Sequence, residues 1–164
     1  SIGENNLSDM NQPGMIEIKG PNVFTGYLNK PEKTKEAFTD DEYFITGDMG
    51  YFDKEGYLFI SGRNKDLIIS GGYNVYPKEI EDIINQFDGI IESAVFGLPD
   101  DDLGEIPAAA IVANDNNPNL DNLKKFIQEN LARYKVPKKY FLLSELPRNV
   151  MGKVQKTILK DRYL

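Results

Sequence analysis

A stripe of large apolar side chains at Ile80, Ile83, Ile84 and Phe87 constrains this chain more than any other feature. The spacing i, i+3, i+4, i+7 puts all four on one face of an α-helix, and that face has to be buried. Pro77 suits the first turn, so the pattern predicts a helix over residues 77–87. The period changes on both sides. Leu67-Ile68-Ile69 and residues 91–98 and 106–113 read as strands, the last two separated by the acidic turn Asp100-Asp101-Asp102. A second helix over about 119–133 would bury Leu120, Leu123, Phe126, Ile127 and Leu131. Residues 139–143 form another strand, and a short helix closes the chain after Lys153. The order β-β-α-β-β-α-β-α predicts an α+β domain over residues 64–164, with a two-stranded hairpin and a short mixed sheet packed with helices.

The preceding residues follow a different pattern. Ile16 and Ile18 alternate with Glu17 and Lys19, the mark of a half-buried strand, and Gly20-Pro21 ends it. Asn29-Lys30-Pro31-Glu32 suits a helix start, with Ala37-Phe38 beyond it. Residues 43–46 and 57–61 are rich in aromatic and β-branched types, and Asp53-Lys54-Glu55-Gly56 between them suits a hairpin turn. The polar stretch Gly62-Arg63-Asn64-Lys65-Asp66 lies between apolar strands and marks a domain boundary.

Composition narrows the chemistry. The 164 residues include no Cys and no His. That excludes disulfides, a thiolate nucleophile, Cys-ligated zinc, Ser–His machinery and an imidazole base. Catalysis has to use Lys, Arg, Asp, Glu, Tyr or backbone groups. A net charge of −7 argues against non-specific nucleic-acid binding, since such proteins carry a basic excess. No apolar run approaches the roughly 20 residues that span a bilayer. Residues 1–6 lack the basic and apolar regions of a signal peptide. The expected location is the cytoplasm, and a chain starting at Ser1 is expected to be a segment of a longer polypeptide.

Four places could carry chemistry. Asp48, in Thr46-Gly47-Asp48-Met49-Gly50, offers a carboxylate for vicinal ribose hydroxyls; the same residues suit an Asx-type turn. Arg63 offers a planar fork for a nucleotide and Lys65 a mobile point charge, or both are solvated turn residues. Ser70-Gly71-Gly72-Tyr73-Asn74 would let a ligand approach the backbone, or is a β-turn before a helix. Lys153, in Met151-Gly152-Lys153-Val154, could reach a phosphate or carboxylate oxygen, or is a surface lysine.

In combination these places are specific. Glu17-Ile18-Lys19-Gly20-Pro21-Asn22-Val23-Phe24-Thr25-Gly26-Tyr27, Tyr43-Phe44-Ile45-Thr46-Gly47-Asp48, Gly56-Tyr57 and Gly62-Arg63-Asn64-Lys65-Asp66 occur in that order. Gly71-Gly72-Tyr73-Asn74-Val75-Tyr76-Pro77-Lys78-Glu79-Ile80-Glu81 and the run from Pro147 to Lys153 follow. The series resembles the C-terminal signature of the adenylate-forming superfamily, which holds acyl-CoA synthetases, luciferases and nonribosomal-peptide adenylation domains. Residues 71–81 and 148–156 are most similar to malonyl-CoA synthetases.

The resemblance implies an AMP-forming acid–thiol ligase of fatty acid metabolism, using ATP, Mg2+ and coenzyme A with a small carboxylic acid. The acid would first form an acyl-adenylate, and CoA would then displace AMP. An acid that is already an anion needs no general base, which fits the missing His and Cys. By this likeness Asp48 would hold the ribose hydroxyls with help from Arg63. Lys153 would bridge the carboxylate and the α-phosphate. Lys65 would mark a hinge, and Gly71 and Gly72 would line the pantetheine tunnel. Residues 1–62 would be the β-rich tail of a large N-terminal domain, 63–66 the hinge, and 67–164 a mobile C-terminal domain. The family's phosphate loop is absent, no metal site is expected in these residues, and Mg2+ would belong mainly to the N-terminal domain. The chain alone is therefore expected to be inactive. Two other readings are an adenylation domain that loads a carrier protein, and a non-catalytic interaction module. Relatives present the lysine equivalent to Lys153 to acetyltransferases, which implies such a partner here.

Overall fold

The computed structural model describes residues 12–114 and 119–164; the N-terminal reading at residues 1–6 lies outside them. The chain divides into two compact units, Ser1–Lys65 and Asp66–Leu164.

The first unit is built on an antiparallel sheet of β1 (Gly14–Ile18), β2 (Phe44–Phe52) and β3 (Leu58–Arg63), with β2 in the middle. The short helix α1 (Pro31–Glu36) has Pro31 in its first turn. Phe24, Tyr27, Phe38 and Phe44 pack as a cluster with ring centroids 5.0–5.8 Å apart. The β2–β3 turn is held by Asp53, whose Oδ1 accepts from the backbone N–H groups of Glu55 (2.9 Å) and Tyr57 (2.8 Å). β2 is longer than its aromatic start suggested and runs through Thr46-Gly47-Asp48-Met49-Gly50. A register shift at Met49/Gly50 makes this possible. A Cβ on Gly50 would lie 2.5 Å from the Phe59 carbonyl oxygen, so only glycine lets the strands close there. A single 3₁₀ turn, Asn64–Asp66, follows β3.

The second unit is α+β, with the element order read from the sequence. β4 (Ile68–Ser70) and β5 (Tyr73–Val75) form a hairpin, followed by α2 (Pro77–Ile84), β6 (Ile90–Asp100) and β7 (Gly104–Ala113). After these come α3 (Leu120–Asn130), β8 (Lys139–Leu143) and α4 (Lys156–Tyr163). β6 pairs antiparallel along the whole of β7. The other edge of β7 is shared: β4 bridges it at Gly104, and β8 runs parallel to it over Ala108–Val112.

Successive residues of β6 and β7 face opposite ways, and both faces are buried. Val95, Ala109 and Ile111 join Ile80, Ile84, Leu123, Ile127, Ile68, Val75 and Val136 in one core. Ala94, Phe96, Leu98, Ala108, Ala110 and Val112 join Leu146 and Leu159 in the other. This double burial gives the two strands near-continuous apolar sequences. α2 ends at Ile84, short of the predicted 87, because the next bonds shorten to i+3: Gln86 N–H to Ile83 and Phe87 N–H to Ile84, both 3.1 Å. Phe87 still packs on the core. α3 is capped by Asn119, whose Oδ1 accepts from the backbone of Asp121 and Asn122, and it stops at Asn130 because Leu131 is extended.

Candidate functional site

In the first unit, β2 and β3 place Asp48 directly across from Arg63. Arg63 Nε lies 3.0 Å from Asp48 Oδ1, and an Arg63 terminal nitrogen donates to the Thr46 carbonyl at 2.9 Å. Thr46 adds two bonds. Its hydroxyl donates to the Ile16 carbonyl on β1 (2.8 Å) and accepts the Asp48 backbone N–H (3.0 Å). Asp48 is thus fixed through both backbone and side chain. Its second carboxylate oxygen has no partner among the described residues and is open to a hydroxyl donor. Lys65 is exposed in the 3₁₀ turn after β3.

In the second unit, Gly71 and Gly72 are the two central residues of the β4–β5 hairpin, with φ of 56° and 82°. Two consecutive positive φ angles define a tight turn of the I′ class, which glycine enters without strain. A Cβ on Gly72 would meet nothing within 4 Å, so the backbone there is open to a ligand. Tyr73 follows the turn and stacks on Tyr134, centroids 4.7 Å apart.

Lys153 lies in a separate turn between β8 and α4. Arg148 and Val154 form an isolated bridge, and Gln155 N–H donates to the Pro147 carbonyl at 2.8 Å, so residues 148–154 fold back on themselves. Val150 and Met151 at its tip are 105% and 87% exposed, so no core packing shapes it. Lys153 is exposed, and among the described residues no partner engages its Nζ. The segment that follows is anchored: Lys156 pairs with Glu81 at 2.6 Å, and Lys160 with Glu105 at 2.8 Å. Glu81 also accepts the Val95 backbone N–H at 2.8 Å.

The structure therefore brings Asp48 and Arg63 together in one unit and puts Lys153, Gly71 and Gly72 in two turns of the other. Sequence reasoning missed Thr46 and the acidic partners Glu81, Glu105 and Glu92, the last paired with Arg148. Thr46 and Glu81 stood inside quoted motifs, but nothing in the sequence pairs residues 55, 56 or 75 positions apart. Among the described residues no group of three or more carboxylates could hold a metal ion. Among them, too, no helix is long and apolar enough to cross a membrane.

Residues 79–153 match the family model described as the AMP-binding enzyme C-terminal domain. These residues are an AMP-binding enzyme C-terminal domain. The match covers most of α2, the elements from β6 to β8 and the turn as far as Lys153, and the likeness extends further along the chain. It is 47% identical over 150 residues to the long-chain-fatty-acid–CoA ligase FadD13 of Mycobacterium tuberculosis, covering 92% of this chain and 30% of that protein. To the 2-succinylbenzoate–CoA ligase of Listeria monocytogenes it is 45% identical, over 92% and 32%. The crystal structure of ATP-bound MatB from Rhodopseudomonas palustris superposes with a TM-score of 0.86 at 49% identity, over 95% of this chain and 31% of that one. The chain spans about a third of the length of these relatives.

Proposed function

We propose that this chain is the C-terminal part of an ATP-dependent carboxylic acid–CoA ligase. In the first half-reaction a carboxylate oxygen attacks the α-phosphorus of ATP, the bond to the β-phosphate oxygen breaks, and pyrophosphate leaves. In the second, the CoA sulfur attacks the acyl carbon, the bond to the AMP phosphate oxygen breaks, and the thiol proton passes to solvent. The difficulty of the first step is bringing two anions together, which calls for a placed cation and fixed geometry. Lys153 supplies the cation, bridging carboxylate and α-phosphate. Asp48 accepts from the ribose hydroxyls, Arg63 orients it, and Gly71 and Gly72 pass the pantetheine arm. Residues 63–66 act as the hinge between the tail of a large N-terminal domain, 1–62, and a mobile domain, 67–164.

The observation that carries this reading is the Lys153 ammonium, unpaired among the described residues, on a turn held by its own polar bonds. The CoA ligases among its relatives support CoA over a carrier-protein thiol as acceptor. The likeness to ATP-bound MatB supports ATP as the nucleotide, and the similarity of residues 71–81 and 148–156 to malonyl-CoA synthetases supports malonate as the acid. The exposure of Lys153 also suits a lysine acetyltransferase, and acetylation would remove the charge adenylation needs. ATP and CoA as substrates suit the cytoplasm.

The test is pyrophosphate release by the full-length enzyme. Lys153→Ala is expected to slow it on the order of 10²–10³-fold, while thioester formation from a supplied acyl-adenylate persists. Equal loss of both half-reactions would refute the assignment. The 164-residue chain alone is expected to form no AMP.

A further inference from the structure

The Gly152–Lys153 peptide group is gripped at both ends. Its oxygen, on Gly152, accepts from an Arg148 terminal nitrogen at 2.7 Å. Its N–H, on Lys153, donates to Asn149 Oδ1 at 3.0 Å. The Lys153 carbonyl in turn accepts the Asn149 backbone N–H at 2.9 Å. Asn149 Oδ1 also takes the Met151 N–H, and the Asn149 carbonyl takes the Gly152 N–H at 2.9 Å. Two side chains thus fix the turn that the exposed Val150 and Met151 leave without apolar support.

Arg148 is not itself adrift. Its other terminal nitrogen pairs with Glu92, on the long strand β6. A polar chain therefore runs from β6 through Glu92 and Arg148 to the Gly152 carbonyl, one bond from Lys153. Gly152 has φ 79°, and a Cβ there would meet nothing within 4 Å; the residue serves the backbone path, not the space around it. An exposed lysine normally samples many rotamers on a mobile backbone. Here the backbone is held and only the side chain stays free.

We infer that Asn149, Arg148 and Glu92 are positioning residues that fix the Gly152–Lys153 peptide so that the ammonium meets the reacting oxygens. The inference rests on the adenylation role proposed for Lys153. A displacement of about 1 Å can cost on the order of a hundredfold in rate. The loss falls on kcat when the interaction is made in the transition state.

The experiment uses the full-length enzyme, with malonate as the first acid tried, then the acid the wild type turns over fastest. Asn149→Ala and Arg148→Met are expected to lower kcat for pyrophosphate release roughly ten- to hundredfold, with KM for ATP changed less than about threefold. CoA transfer from a synthetic acyl-adenylate should stay within about twofold of wild type. Asn149→Asp keeps the accepting oxygens and should restore adenylation to within about threefold. Should Asn149→Ala fail to fold, Glu92→Ala, which changes no residue of the turn and removes the partner that anchors Arg148 to β6, takes its place with the same expected split. Unchanged adenylation in these variants, or equal loss of both half-reactions, overturns the inference. Lys153→Ala is the separating control. Normal adenylation in that variant refutes the role of Lys153 itself, whereas its loss beside unaffected Asn149 and Arg148 variants refutes only the positioning.

Discussion

Asp48 and Arg63 face each other across the β2–β3 ladder with an Nε to Oδ1 distance of 3.0 Å. Both side chains are partly exposed, so the pair adds at most about 1 kcal/mol to stability. The arrangement leaves one carboxylate oxygen without a partner among the described residues. A hydroxyl bonded to a charged group is worth about 1.5–3 kcal/mol. Asp48→Asn in the full-length enzyme should therefore raise KM for ATP about tenfold or more, while the melting temperature moves only slightly. A melting change without a KM change would show a purely structural pair.

The hairpin turn at Gly72 makes a second prediction. Its φ of 82° suits glycine or asparagine. Gly72→Val should cost about 1–2 kcal/mol in backbone strain and slow CoA transfer, leaving pyrophosphate release near wild type. Gly72→Asn should fold as the wild type does. The two half-reaction rates and a thermal melt check both variants.

Leu159 is the one buried residue of α4. Removing it opens a void in the core that also holds Phe96 and Leu146. Leu159→Ala should destabilise the protein by about 2–5 kcal/mol, read from the midpoint of urea unfolding. A cost below 1 kcal/mol would mean that α4 is held by Lys156 and Lys160 and not by packing.

Tyr140 predicts a pH dependence. Its hydroxyl is buried and has no hydrogen-bond partner among the described residues. Burial pushes its pKa up to about 12, from an ordinary value of 10.0. The folded state thus favours the neutral phenol over the phenolate. Its stabilising contribution is complete below pH 10.0 and declines as the pH rises toward about 12. Tyr140→Phe should flatten this alkaline decline. It should also be neutral or slightly stabilising at pH 7, because it removes an unsatisfied polar atom. Melting curves of both proteins between pH 7 and 11 decide it.

Much of the second unit was legible because its apolar positions report burial directly. The Ile80–Ile84 stripe became the buried face of α2, and the runs at 91–98 and 106–113 became β6 and β7. The path of β2 through Gly47 and Gly50 was not legible: glycines usually interrupt strands, and the reason for Gly50 is the Phe59 carbonyl of another strand. Lys153 was found through an ordered series of motifs. The grip on its backbone was not, because Glu92 and Arg148 stand 56 positions apart and nothing local links them.

Every strand ladder of the described residues lies inside one unit, and the division falls within the 3₁₀ turn after β3. A cut there interrupts no ladder and removes no member of either second-unit core. That makes the turn a natural crossover point for recombination between relatives. A chimera joined there would carry the Lys153 turn and its anchors Glu81, Glu92 and Glu105 over together.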